Sequence, residues 1–210
     1  MPQSKNDNPF RKTILPNLRQ ALITAFSNKT GNVIYHESVR LYQEELAGMN
    51  DRNSKVIHNH LSNNILPAYA AYKILLQAGI EQSKALEFIR QEVFKSMVSP
   101  AAKMRRLGTL PFIYGLFKTL MKPVVGYGYP KEGWDIEWKE YSKTRLAFNM
   151  KSCLYCEELK KRGVPELCPI FCETDELTYN PLAPRVVFER GGTLAKGCAV
   201  CDFSYKKGHK

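Results

Sequence analysis

The spacing of apolar residues changes period along this chain, and that change limits the folds open to it. Between residues 54 and 78, Ile57, Leu61, Ile65, Ala68, Tyr69, Tyr72 and Leu75 recur at steps of three and four, the mark of one buried helix face. Residues 34–45 repeat the pattern, and Pro67 marks a kink. Gly79 fits a helix C-cap. Ser83 fits the N-cap of a helix over 84–97, with Ala85, Phe88, Ile89 and Val93 on one stripe. Towards the other end, residues 185–190 and 200–205 alternate as strands do. Residues 134–138 alternate in the same way, 147–162 return to helical spacing and stop at Gly163, and a short helix is expected from Pro169 to about Leu177. The pattern predicts an α+β fold, a helical N-terminal half followed by helices packed on a small antiparallel sheet. Residues 1–12 read as a flexible arm. Residues 13–210 read as a single domain, mainly helical over 13–128 and Cys-rich over 129–210.

Residues 108–128 are the most apolar part of the chain, yet Pro111, Gly115, Lys118, Lys122 and Pro123 interrupt them. The segment is too short and too broken to span a bilayer. A buried helix is the favoured reading, with a weak membrane-surface contact or a lid over a pocket behind it. No secretory signal is visible, so a cytoplasmic location is expected. The net charge of +11 is compatible with nucleic acid, an anionic surface or an acidic substrate. Its clusters at Lys103, Arg105 and Arg106, at Lys160, Lys161 and Arg162, and at Lys206 and Lys207 are not interleaved with aromatics. That favours a solvated basic surface first and a modest anionic ligand second, with no nucleic-acid partner.

All six cysteines fall in the last 58 residues, in the pairs Cys153/Cys156, Cys168/Cys172 and Cys198/Cys201. In a reducing compartment such pairs read as reactive thiols or metal ligands before disulfides. Cys153 and Cys156 lie within a predicted helix, and Cys156 reads as a thiol packed in the core. Cys168 precedes Pro169, which is favoured at a helix start. Cys168 is therefore expected at a helix N-terminus, where the dipole lowers a thiol pKa. Cys172 follows one turn on, and Asp175 three residues later. Cys198 and Cys201 follow Gly197 in the shape of a zinc knuckle. Cys168, Cys172, Cys198 and Cys201 could share one Zn²⁺, although their spacing fits no familiar zinc pattern. Cofactor-free thiol chemistry is preferred; the alternative is a metal-stabilised module with Cys-ligated zinc that binds a small ligand or regulates without catalysis. His60 shares a helical stripe with Asn64 and, roughly, Pro67, where a lone histidine is more often a hydrogen-bonded core or surface residue than a base.

Several strings carry a resemblance. GW at 133–134, EW at 137–138, FNMKSCLY at 148–155, GVPELCPIFCETD at 163–175, VFER at 187–190, TLAKG at 193–197 and CDF at 201–203 resemble the L-2-amino-thiazoline-4-carboxylic acid hydrolase family. The helical segment from His60 to Gly79 is similar to that family's N-terminal half, so the likeness covers about residues 34–205. Cys156 and Cys198 stand outside the family's pattern.

The resemblance implies a hydrolase acting on a non-peptide C–N bond of a small cyclic amidine such as 2-amino-thiazoline-4-carboxylate, giving a carbamoyl-cysteine. The electrophile is the carbon between two nitrogens and a sulfur. Attack requires a cysteine thiolate or an activated water, and the ring nitrogen must be protonated as it leaves. The substrate carboxylate requires a cation, which arginine meets with two parallel hydrogen bonds. Cys168, Cys172, Asp175 and His60 are the expected catalytic residues. Arg190, Cys153 and Asp202 are the expected substrate-binding residues. The implied partner is a small anionic molecule.

Overall fold

The computed structural model describes residues 8–209. Residues 1–7 of the expected arm lie outside them. The chain falls into two compact units, Met1–Ser96 and Met97–Lys210. No helix among the described residues is long and apolar enough to cross a membrane.

The first unit is helical. It holds α1 (Leu18–Phe26), α2 (Asn28–Gly48), α3 (Lys55–His60), a π turn (Leu61–Ile65) and α4 (Leu66–Gln77), and it includes the start of α5 (Gln82–Gly108). The stripe read from the sequence is its core, with Ile57, Leu61, Ile65, Ala68, Tyr72 and Leu75 buried. Helices α1 and α2 cross at Gly31, where an added Cβ would stand 2.6 Å from the Ile23 backbone. Ser54 caps α3 by accepting the Ile57 N–H at 3.4 Å.

The expected kink at Pro67 takes the form of the π turn. Proline lacks an N–H, so the Asn63 carbonyl four residues back has no helical donor. It accepts the Ile14 N–H instead, at 2.8 Å. The neighbouring Ser62 carbonyl takes the Tyr42 hydroxyl at 2.8 Å. Phe10 is buried and stacks on the Tyr42 ring at 5.1 Å. Helix α5 starts one residue before Ser83, because the Glu81 carboxylate accepts both the Ser83 N–H and its hydroxyl. It then runs on through Pro100 to Gly108, past the expected end at residue 97.

The second unit takes the rest of α5, α6 (Ile113–Gly128), β1 (Trp134–Tyr141), β2 (Arg145–Cys153), α7 (Leu154–Lys161), α8 (Cys168–Tyr179), β3 (Val186–Glu189) and β4 (Cys201–Lys207). The strands form one antiparallel sheet in the order β1-β2-β4-β3. Register places Leu146 opposite Tyr205, Phe148 opposite Phe203 and Met150 opposite Cys201, all six buried on one face. Phe148 and Phe203 stack at 4.9 Å, and Phe117 of α6 and Tyr179 of α8 pack on Tyr205 at 4.9 and 5.0 Å. The second half of α5 closes on the turn after α8: an added Cβ at Gly108 would meet the Pro181 carbonyl oxygen at 2.9 Å.

Two expectations change here. Residues 147–153 belong to a strand, not to a helix. The reason is position: β2 is central, between β1 and β4, and Leu146, Ala147 and Phe148 are buried in succession, which removes the alternation of a half-exposed strand. The buried helix expected over 108–128 is α6, but Phe112, Leu116, Leu120, Val124 and Tyr127 are exposed.

Candidate functional site

Strand β2 ends at Cys153, which is also the residue before the first turn of α7, so Cys153 and Cys156 stand at a strand-to-helix corner. A 3₁₀ turn, Pro165–Leu167, then delivers Cys168 as the first residue of α8, with Pro169 next and Cys172 one turn on. Two helix N-termini thereby converge on sulfur, and the positive end of each peptide dipole favours negative charge there.

The sulfurs form a row. Cys156 Sγ and Cys168 Sγ are 2.8 Å apart. Cys153 hydrogen-bonds Cys156 at one end, and Cys168 hydrogen-bonds Cys172 at the other. Thiols donated by Cys153 and Cys168 stabilise a Cys156 thiolate and bring its pKa down to about 4. The Cys172 pKa is lowered as well, first by the Cys168 thiol, whose single S–H serves either Cys156 or Cys172 at one time, against burial and the nearby Asp175 charge. The donors pay the opposite effect: Cys168 and Cys153 are held protonated. Cys168 is only 2% exposed. The lowered pKa expected there from the helix dipole is thus reversed, because the hydrogen bonds to Cys156 and Cys172, and then burial, outweigh the dipole. Cys201 enters from β4. Its thiol is pushed up to about 11, first by burial, and its sulfur accepts the Leu194 N–H at 3.2 Å.

Beyond Cys172, α8 presents Asp175. Arg190, just past β3, donates to the Asp175 carboxylate at 2.7 Å, to the Cys172 carbonyl at 2.7 Å and to Glu176 at 3.0 Å. Burial pushes the Asp175 carboxyl up to about 6, against the pull of Arg190. Tyr179, on the same helix, is pushed up to about 12 by burial and then by Asp175. A cleft of about 60 Å³ opens at this point, lined by Pro169, Cys172, Glu173, Glu176, Arg190, Gly191, Gly192, Thr193 and Lys196. The Thr193 hydroxyl is buried and has no hydrogen-bond partner among the described residues.

Of the residues expected from sequence, Cys153, Cys168, Cys172, Asp175 and Arg190 come together. Cys172 and Arg190 line the cleft, while Cys168 lies behind Cys172. Asp202 accepts the Gly191 N–H at 3.0 Å and the Gly192 N–H at 2.6 Å, which holds the cleft's glycine turn. His60 ends α3 in the first unit, half-buried beside the π turn. Cys198 is exposed, and an added Cβ on Gly192 would meet its sulfur at 2.8 Å. Among the described residues no three His, Cys, Asp or Glu side chains are grouped to hold a metal ion. Sequence reasoning missed Cys156, Thr193 and Lys196. The TLAKG string contains the last two, but nothing in its spacing marks a threonine turned inward or a lysine on a rim.

A comparison with protein families matches residues 58–205 to the family described as L-2-amino-thiazoline-4-carboxylic acid hydrolase. Searches of curated proteins and of solved structures find no match.

Proposed function

The chain belongs to the L-2-amino-thiazoline-4-carboxylic acid hydrolase family, and from that premise we propose that it hydrolyses a small cyclic amidine carboxylate of the 2-amino-thiazoline-4-carboxylate type. The observation that carries the reading is the half-buried Cys172 thiol on a cleft lined by Arg190, Thr193 and Lys196, with Asp175 held on Arg190. A small cleft suits a small molecule.

Cys172, with its lowered pKa, is the nucleophile, or the base that activates water. Attack falls on the carbon between the two nitrogens and the sulfur. The tetrahedral adduct collapses by breaking one ring bond to that carbon, and the leaving heteroatom needs a proton; where Cys172 is the nucleophile, water then adds to the same carbon and its bond to the Cys172 sulfur breaks, which releases the carbamoyl product and restores the thiol. Asp175, titrating at about 6, can hold that proton near neutral pH and deliver it. Arg190 is occupied by Asp175 and Glu176, which suits it to positioning Asp175; Lys196 on the rim is the cation for the substrate carboxylate. Thr193 supplies a hydrogen bond to the bound ring.

The test is ring opening of 2-amino-thiazoline-4-carboxylate by the purified chain. Turnover is expected in the wild type, abolished by Cys172→Ser and lowered at least about 100-fold by Asp175→Asn. A folded wild type without turnover, or a Cys172→Ser variant as active as the wild type, would overturn the assignment.

A further inference from the structure

We propose that α6 and the cavity at its N-terminal end dock the protein on an anionic phospholipid surface. Phe112, Leu116, Leu120, Val124 and Tyr127 are each between 42% and 77% exposed. They fall on one side of α6, and Gly115, Thr119, Pro123 and Gly126 fill the same exposed side, so its centre carries no charge. A continuous apolar helix face in water marks a partner.

The charge around the face says which partner. Between residues 97 and 131 there are six basic residues, Lys103, Arg105, Arg106, Lys118, Lys122 and Lys131, and no acidic one. The two lysines of α6 lie off the apolar side, with Lys118 Nζ 4.7 Å and Lys122 Nζ 4.4 Å from the Tyr141 ring centre. An apolar stripe with flanking cations is the pattern of an interfacial helix, which sinks its apolar side among acyl chains and sets its cations at the headgroups.

The cavity adds a place for a headgroup. It measures about 400 Å³ and is lined by Pro111, Phe112, Tyr114, Gly115, Lys118, Thr119, Lys143 and Lys207. Three of these eight are lysines and none is acidic. It shares Phe112, Gly115 and Thr119 with the apolar face, so a lipid with its chains along α6 would bring its phosphate to the lysines. The buried Tyr114 hydroxyl, which has no partner among the described residues, lies in the same wall. A second copy of the chain suits this face less well. A two-fold contact would bring the same cationic rim against itself.

Co-sedimentation of the full chain with vesicles tests the proposal. Vesicles of phosphatidylcholine with about one third phosphatidylglycerol should bind the protein at least tenfold better than pure phosphatidylcholine, and salt at about 0.5 M should remove most of the difference. Leu116→Glu with Leu120→Glu, and separately Lys143→Ala with Lys207→Ala, should each cut binding at least tenfold while the circular dichroism spectrum is unchanged. Inorganic phosphate at millimolar concentration should not displace the protein, since the acyl chains contribute. Full displacement by phosphate would mean a free-anion site and overturn the proposal. So would equal binding to neutral vesicles, no binding at all, or a dimer in sedimentation velocity that Leu120→Glu dissociates.

Discussion

At the scale of single residues, the sulfur row separates cysteines that composition makes equal. Brief alkylation near pH 6 should label Cys172 and Cys156 well ahead of Cys168 and Cys201, with exposed Cys198 also modified. Mass-spectrometric mapping that finds Cys168 first would contradict a Cys168 held protonated between its sulfur neighbours. Two residues set opposite pH slopes on stability. Asp175 has a folded pKa of about 6, above its unfolded value of about 3.9. Its contribution is complete below the unfolded value and is lost as pH rises through 6. Cys156 is depressed to about 4 from an unfolded value near 8.5. Its contribution is complete above the unfolded value and is lost as pH falls towards 4. Urea midpoints between pH 4 and 8 should therefore gain slope in Asp175→Asn and lose slope in Cys156→Ser. If Asp175 is the proton donor, kcat should fall as pH rises through about 6, and that limb should be absent in Asp175→Asn.

At the scale of elements, the crossing of α1 and α2 leaves no room for a methyl group. Gly31→Ala should cost about 1–3 kcal/mol, read from urea denaturation, because the clash is with backbone and not with a flexible side chain. Ser54→Ala should cost about 1 kcal/mol through the lost α3 cap. The α3–α4 stripe was legible in sequence because one face of that segment is buried at helical period. Pro67 was legible as a break, but its form depends on Ile14 and Tyr42, which arrive from distant positions. Strand β2 was illegible for a related reason: Ala147 and Phe148, neighbours on opposite faces, are both buried. The cleft was partly legible. Cys168, Cys172 and Asp175 are one local motif on α8, and Arg190 follows β3, so the family strings contained them. Cys156 could not be read as the easily ionised thiol, because its neighbours Cys153 and Cys168 act through space.

At the scale of the whole molecule, the charge of +11 is unevenly distributed, with a long acid-free stretch from residue 97 to 131 and the paired carboxylates of the thiol cleft elsewhere in the same unit. The charge clusters were legible in the sequence, but which of them border an exposed apolar face was not, because that depends on how α6 packs. The sulfur row has a further consequence for the protein as an acid. Four thiols joined by hydrogen bonds do not ionise as four independent groups; they behave as one polyprotic acid whose first proton leaves easily and whose later ones are held back by the charge already present. Ultraviolet titration of thiolate absorbance should then rise early by a fraction of the cysteine content, level off through the neutral range, and complete only at strongly alkaline pH or on unfolding. A Ser substitution anywhere in the row would change the height of that plateau as well as the residue replaced.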